Sequence, residues 1–129
     1  MSLVLPRSSA FLDFWIERRL CTVTTLRPDG SPHVVPMGVV IDPETDTAWA
    51  ITSKTSRKAR NLADGGPIAV CCVDGRSWST IEGTATVSDD PKVVAEAERR
   101  YAERYKVPRE NPSRVAIRIS VTKVIGNVG

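Results

Sequence analysis

The sequence contains no long apolar run, which argues against a membrane-spanning protein. A helix that crosses a bilayer needs roughly 18 or more apolar residues in succession, and no stretch of the 129 residues approaches that length. The first residues, 1–7, also lack the longer apolar segment of a secretory signal peptide. We therefore expect a cytoplasmic protein that has no membrane partner.

Residues that bind metals are scarce as well. His33 is the only histidine, and the three cysteines, Cys21, Cys71 and Cys72, form no Cys-x-x-Cys pair. Adjacent residues of a strand point to opposite faces of the sheet, so Cys71 and Cys72 would not bind one metal together. A zinc site needs more ligands of the right type and spacing. We expect no metal site and three buried, reduced thiols.

The features of a nucleic-acid-binding protein are also missing. The basic residues are not interleaved with aromatic residues, and the sequence has no RNP motif and no helix-turn-helix pattern. The net charge of +3 favours an anionic partner but is too small to indicate nucleic acid. Apolar residues make up 41% of the chain and charged residues 26%, as in ordinary globular proteins. We predict one domain over residues 1–129.

Turn signals divide the chain into short strands and helices. Ser8 or Ser9 is suited to cap a first helix, and Asp90 with Pro91 predicts the start of a long helix. Pro108 would end that helix. We predict six strands, at 20–26, 31–41, 47–53, 68–73, 77–87 and 115–125, and a short basic helix after the third. Hairpin turns, rather than regular β-α-β alternation, favour a mainly β (α+β), closed or partly closed antiparallel barrel with two or three peripheral helices.

The most informative segment lies where the third predicted strand meets the short helix. It reads Thr52-Ser53-Lys54-Thr55-Ser56-Arg57-Lys58-Ala59-Arg60-Asn61. Free N–H groups at the start of a helix attract anions, and arginine and lysine supply charge-assisted hydrogen bonds. These residues therefore suit a phosphate site. A solvated basic turn is the alternative that the segment alone leaves open.

Two motifs carry a family resemblance that extends from about residue 11 to residue 125. Thr52 with Ser56-Arg57-Lys58, and later Ile81-Glu82-Gly83-Thr84-Ala85, resemble the pyridoxamine 5'-phosphate oxidase-like split β-barrel superfamily of flavin-binding proteins. Five further segments are similar to the branch that uses the deazaflavin F420, close to the F420-dependent biliverdin reductases. They are residues 24–27, 31–37, 74–78, 100–105 and 111–115.

The resemblance implies a six-stranded split barrel that forms a homodimer, with the cofactor in a groove at the dimer interface. It implies coenzyme F420 as the cofactor, with FMN as the alternative. The cofactor-binding residues it implies for the phosphate are Thr52, Ser53, Ser56, Arg57 and Lys58, with Lys54 and Asn61 as second contributors and Arg60 along the cofactor tail. Those it implies for the ring are Val35, Pro36, Met37 and Trp78.

Other interpretations of the ring residues stay open. Pro36 has no N–H group to donate, so it suits either a ring contact or simply an edge strand. Trp78 would stack near the ring, join the dimer contact or pack in the core. His33 fits a surface position on a strand, and Tyr101 and Tyr105 fit helix packing. No catalytic residue is identified.

The chain also departs from the oxidase itself. Val35 and Val40 stand where the oxidase has an arginine and a lysine that assist the FMN phosphate, and the chain ends soon after Ile125. The resemblance implies an F420H2-dependent reductase that transfers a hydride to a conjugated small-molecule acceptor such as biliverdin. The alternatives are an FMN-dependent oxidoreductase and a non-catalytic carrier of a cofactor or tetrapyrrole.

Overall fold

The computed structural model describes residues 4–128, which form three helices and seven strands. None of these helices is long and apolar enough to cross a membrane. In chain order the elements are α1 (Ser9–Ile16), β1 (Cys21–Leu26), β2 (Pro32–Met37), β3 (Val40–Asp42), β4 (Thr47–Ser53), α2 (Arg57–Asn61), β5 (Gly66–Asp74), β6 (Ser77–Ser88), α3 (Pro91–Arg104) and β7 (Arg114–Gly126).

All seven strands belong to one antiparallel sheet with the order β2-β1-β5-β6-β7-β4-β3. Its two edge strands, β2 and β3, are consecutive in the chain and are joined by Gly38 and Val39 alone. Such a connection spans at most about 11 Å from the Cα atom of Met37 to that of Val40. The sheet must therefore curve until its two edges approach each other. The described residues contain no hydrogen-bonded ladder between those edges, so the sheet is not closed.

The mainly β architecture with peripheral helices is confirmed, but the count of six strands is wrong. The predicted strand 31–41 is two strands, because the chain leaves one edge of the sheet at Met37 and enters the other at Val40. Gly38 lies between them under two tyrosines. A Cβ atom at Gly38 would be 2.8 Å from ring atoms of Tyr105 and 3.0 Å from the ring of Tyr101. Only glycine fits there without displacing the rings.

The core fills the inside of the curved sheet. Val23, Val70, Ile81 and Ile117, from four neighbouring strands, are at most 1% exposed, as strand alternation requires. Helix α1 adds Phe11 and Trp15, and the indole of Trp15 donates to the hydroxyl of Ser79 at 3.0 Å. Helix α3 packs on the outer face of the sheet, where Ala97 meets Trp49 and Ala116. Both faces of β4 are therefore covered.

The predicted helix starts are confirmed, whereas one end is not. Ser8 caps α1 by accepting the Phe11 N–H, and Asp90 caps α3 with Pro91 as its first residue. Helix α3 ends at Arg104 instead of continuing to Pro108. The reason is Tyr105, whose backbone leaves the helix and whose hydroxyl accepts from the Val39 N–H and donates to the Arg19 carbonyl.

The expectation of three reduced thiols is wrong for two of the cysteines. Cys21 on β1 and Cys72 on β5 form a disulfide, with their Cα atoms 4.6 Å apart. The two strands pair with Thr22 opposite Cys71, which places the buried Cys21 and Cys72 side by side. Cys71 points to the opposite face, as predicted, and is the free cysteine of the described residues.

One glycine explains part of the Glu-Gly-x-Ala motif. The register between β6 and β7 shifts between Glu82 and Gly83, which marks a β-bulge. At Gly83 the backbone of Ser120 comes so close that a Cβ atom would collide with its carbonyl oxygen. Ala85, two residues later, is fully buried. This motif is therefore required by strand packing.

Candidate functional site

The turn between β4 and α2 is fixed by hydroxyl groups. Thr52 donates its hydroxyl to the Ser56 Oγ at 3.0 Å, and that oxygen also accepts the Ala59 N–H at 3.1 Å. The Ser56 N–H in turn donates to the Ser53 carbonyl at 3.0 Å. Ser56 is thus the N-cap of α2, and the two hydroxyls hold the segment in one conformation.

Arg57 and Lys58 provide positive charge without a counter-ion. Both are half-buried at the start of α2, and neither forms an ion pair or a side-chain hydrogen bond within residues 4–128. Burial lowers the pKa of the Lys58 ammonium group, since its charged form is partly removed from water. Helix α2 has only five residues, so few peptide dipoles add up. The side chains of Arg57 and Lys58 therefore contribute more than the helix dipole to binding an anion, and their charge and hydrogen-bond donors suit a phosphate group.

A polar cluster lies beside these cations, between α2 and the β1–β2 pair. Asn61 donates its amide to the hydroxyl of the buried Thr25 at 2.9 Å, and His33 lies opposite Thr25 in the register of the two strands. His33 Nδ1 and Asn61 Oδ1 are both buried without a hydrogen-bond partner in the described chain. Unpartnered buried polar atoms are uncommon in folded proteins. They are consistent with a site that a polar ligand or water completes.

His33 lies on strand β2, and its side chain is partly buried. Burial, and then the positive charges of Arg27, Lys58 and Arg57, lower its pKa. The alternation of β2 accounts for this partial burial, because His33 and Val35 are two residues apart and share a face of the strand.

The ring residues of β2 divide between two faces. Val35 and Met37 are half-buried on the same side as His33, whereas Pro36 is exposed on the other. Strand β2 pairs only with β1, so Pro36 does occupy an edge strand. The departure from the oxidase is also visible here, since Val35 on β2 and the buried Val40 on β3 bring no charge.

Met37, Thr52 and Ser53 meet in one cleft of about 450 Å³, called here the Tyr101 cleft. The structure thus unites part of the predicted ring site with part of the predicted phosphate site. Lys54 is exposed on a different cleft, of about 390 Å³, which it shares with Arg60. The remaining residues of the Tyr101 cleft are Leu20, Gly38, Ile51, Tyr101, Lys106, Pro108, Arg109, Asn111 and Arg114.

Trp78 is not brought to the other predicted residues within one chain. It is the second residue of β6, whereas the β6 residue in register with Ala116, the partner of Ile51, is Ser88. Ten residues of strand span on the order of 30 Å. Trp78 is 37% exposed. Its role near the ring stays a prediction, and it requires that a second subunit supply this side chain.

The sequence interpretation missed the loop that follows α3. Asn111 donates its amide to the Ser53 Oγ at 3.1 Å, and Arg114 donates to the Arg109 carbonyl at 2.7 Å and to Glu98 at 2.8 Å. These contacts attach the loop to the end of β4. The segment 111–115 was noted for its resemblance, but nothing in its spacing shows that it meets residue 53.

Comparisons with known proteins agree with this fold. The chain is 46% identical over 116 residues to the F420H2-dependent biliverdin reductase of Mycobacterium tuberculosis, covering 90% of this chain and 85% of that protein. A solved structure of a conserved hypothetical protein from Mycobacterium tuberculosis superimposes with a TM-score of 0.77 at 25% identity, covering 98% of this chain and 87% of the other. A solved F420 reductase gives 0.73 at 19% identity, covering 93% and 98%.

The family itself follows from the length of the match. The sequence profile described as Pyridoxamine 5'-phosphate oxidase matches residues 8–127. That range includes the hydroxyl-rich turn after β4, the cations at the start of α2 and the bulge at Gly83. The chain therefore belongs to the pyridoxamine 5'-phosphate oxidase family.

Proposed function

We propose that the protein is an F420H2-dependent reductase that acts on a conjugated organic acceptor such as biliverdin. The observation that carries this proposal is the 46% identity, over 90% of the chain, with a protein named for that activity. The geometry supports the coarser part of it, a site for an anionic cofactor. Arg57 and Lys58 have no counter-ion in the described chain and lie beside the hydroxyls of Thr52 and Ser56.

In this proposal the residues of α2 bind the phosphate group and those of β2 face the ring. Arg57 and Lys58 donate charge-assisted hydrogen bonds to phosphate oxygens, and the unpartnered atoms of Asn61 and His33 offer further polar contacts. Val35 and Met37 present an apolar wall to a planar ring. When bound, reduced F420 supplies a hydride from a carbon of its deazaflavin ring.

The protein then acts chiefly by positioning. Met37 would contact the cofactor ring and Lys58 its phosphate. The acceptor would then lie in the part of the Tyr101 cleft beyond Met37, next to the ring. Holding two reactants in the correct geometry can lower a barrier by roughly 7–11 kcal/mol in favourable cases. No described side chain is assigned as a proton donor.

We further propose a homodimer, with the cofactor groove completed by a second chain. The outer face of β1, β5 and β6 is the support, since α3 packs on β3, β4 and β7 instead, and α2 meets β1 on its inner side, at the buried Thr25. Exposed apolar side chains occur on these strands, including Leu26, Val73 and Trp78. Sedimentation velocity should show a dimer, and Val73→Glu should shift it toward monomer. A monomer at tens of micromolar would contradict this part of the proposal.

The test is a fluorescence titration of the purified protein with F420 and with FMN at one salt concentration, followed by an assay with F420H2 and biliverdin. Micromolar binding of F420 with weaker binding of FMN, and F420H2-dependent loss of biliverdin absorbance, is the expected result. Tighter binding of FMN would move the protein to the flavin-dependent members of the family. Binding of F420 without turnover of any acceptor would leave a carrier rather than a reductase.

A further inference from the structure

The Tyr101 cleft has an apolar wall and a cationic rim. Its cations are Lys106, Arg109 and Arg114, and its apolar side chains are Leu20, Met37, Ile51, Tyr101 and Pro108. Among the described residues that line it, none is acidic. Leu20 is 66% exposed, so part of this apolar surface is open to a ligand.

The aromatic wall of the cleft is held in place. Tyr101 stacks on Tyr105 with ring centroids 4.8 Å apart and an angle of 25° between the rings. The Tyr105 hydroxyl accepts from the Val39 N–H at 3.0 Å and donates to the Arg19 carbonyl at 2.8 Å. Tyr101 therefore offers a preformed flat surface on which a conjugated molecule can stack.

The cationic rim is also fixed relative to the sheet. Besides the contacts of Asn111 and Arg114, the Lys54 N–H donates to the Ser113 carbonyl at 2.8 Å. Because Arg114 donates to the carbonyl of Arg109, the backbone that carries the Arg109 side chain is held in place. The rim and the Thr52–Ser53 end of β4 form one unit.

The three cations of the rim are not equivalent. Arg114 is paired with Glu98 at 2.8 Å. Lys106 and Arg109 are exposed and form no ion pair or side-chain hydrogen bond within residues 4–128. Two uncompensated cations above an apolar, aromatic wall match a ligand that has a flat conjugated body and an anionic group at its margin.

We propose that the Tyr101 cleft binds the acceptor and that Lys106 and Arg109 bind a carboxylate on it. The substrate class is then planar, conjugated carboxylic acids. This inference rests on the proposed function, because it places the acceptor next to the cofactor residues Thr52 and Ser53. The carboxylates of the F420 tail have the same chemistry, but Lys54 and Arg60 offer them two cations in a separate cleft, which Asp89 also lines.

The test compares biliverdin, which carries two carboxylates, with its dimethyl ester in the wild type and in Lys106→Ala/Arg109→Ala. We expect KM for biliverdin to rise about tenfold, since two exposed charged contacts are lost. KM for the ester, kcat and the Kd for F420 should stay unchanged. Lys92→Ala is the control, because this exposed lysine lies about 18 Å away along α3 from the Arg104 end, at 1.5 Å per residue.

Three results would overturn the inference. One is an unchanged KM for biliverdin in the double variant, and another is an equal rise of KM for the acid and the ester. The third is a weaker Kd for F420 with an unchanged KM, which would assign the rim to the cofactor tail. The unfolding temperatures of both variants should match that of the wild type, because none of the three replaced side chains forms an ion pair or a hydrogen bond within residues 4–128.

Failure of the proposed function can be distinguished from failure of the proposed role of the cleft. If the wild type does not reduce biliverdin, an absorbance titration of biliverdin against protein saturated with oxidised F420 still decides the role of the cleft. Binding about tenfold weaker in Lys106→Ala/Arg109→Ala than in Lys92→Ala supports it. Equal binding by the two variants rejects it.

Discussion

Asn111 and Ser53 are 58 residues apart in sequence and joined by a hydrogen bond of 3.1 Å from the side-chain amide to the hydroxyl. The side-chain oxygen of Asn111, Oδ1, accepts a hydrogen bond from the Ser113 N–H at 2.9 Å. One residue therefore connects the cationic rim of the Tyr101 cleft to the strand end from which the phosphate segment begins. Removal of the Asn111 side chain should therefore loosen the position of the rim, whereas the Lys106 and Arg109 side chains take no part in this connection.

Asn111→Ala tests this connection. Loss of two hydrogen bonds should lower the free energy of unfolding by roughly 1–3 kcal/mol and raise KM for the acceptor, because Arg109 loses its fixed position. Asn127→Ala is a matched control, since Asn127 also uses its side chain for two hydrogen bonds, with Trp78 and Arg76. Urea unfolding should show a similar loss of stability in both variants, and steady-state kinetics should show a raised KM for the acceptor in Asn111→Ala.

Arg57→Ala/Lys58→Ala tests the anion site. Loss of two charge-assisted contacts should weaken F420 binding by roughly 2–4 kcal/mol in total, measured by fluorescence titration. The unfolding temperature should change little, because neither cation has a described partner. Lys123→Ala, which removes an exposed charge from β7, should leave the affinity unchanged. Equal affinity in the double variant and the wild type would remove the phosphate assignment.

Local features of this fold could be predicted, whereas contacts between distant segments could not. Ser8 and Asp90 predict helix starts, because a short polar side chain at this position accepts a hydrogen bond from a free N–H group of the first turn. The split at Gly38 is invisible in sequence, since Val39, Val40 and Ile41 continue the apolar pattern of the preceding strand. The Cys21–Cys72 pair depends on the register of β1 with β5, which no local spacing encodes.

The candidate site shows the same limit. The segment 52–61 was found because its hydroxyls and cations are consecutive. The walls of the Tyr101 cleft come from four separate parts of the chain, near residues 20, 37, 52 and 101–114. In the sequence, Lys106 and Arg109 resemble ordinary surface charges. Only the fold shows that they line the cleft. The distance of Trp78 from the other predicted ring residues follows from the register of β6 with β7, which local spacing does not encode.

His33 predicts how stability depends on pH. Its folded pKa is below the ordinary value of 6.5, because of burial and nearby cations. Above about pH 6.5 neither state binds the proton; as pH falls below it, the unfolded chain binds the proton first, so stability falls. The groups that face His33 are Thr25, Arg27, Arg57, Lys58 and Asn61.

Urea unfolding at pH 7.5 and 5.5 measures this effect. His33 is the only histidine, and histidine is the side chain that ordinarily titrates in this range. The wild type should lose stability between the two pH values, and His33→Asn should lose less. A bound anionic cofactor should reduce the loss in the wild type. An equal loss in both proteins would show that His33 does not carry the effect.

Gly38 links the break in the sheet to the wall of the acceptor cleft. In Gly38→Ala the new Cβ atom would start 2.8 Å from the Tyr105 ring, and Tyr105 cannot withdraw freely because its hydroxyl is bonded on two sides. We expect a loss of roughly 1–3 kcal/mol in unfolding free energy and a raised KM for the acceptor, because Tyr101 is stacked on the displaced ring. Gly66→Ala is the control, since its Cβ atom would meet nothing closer than Leu62 at 3.7 Å. If both variants unfold at the same urea concentration, the tyrosine pair is more adaptable than its hydrogen bonds imply, and the cleft wall is not preformed.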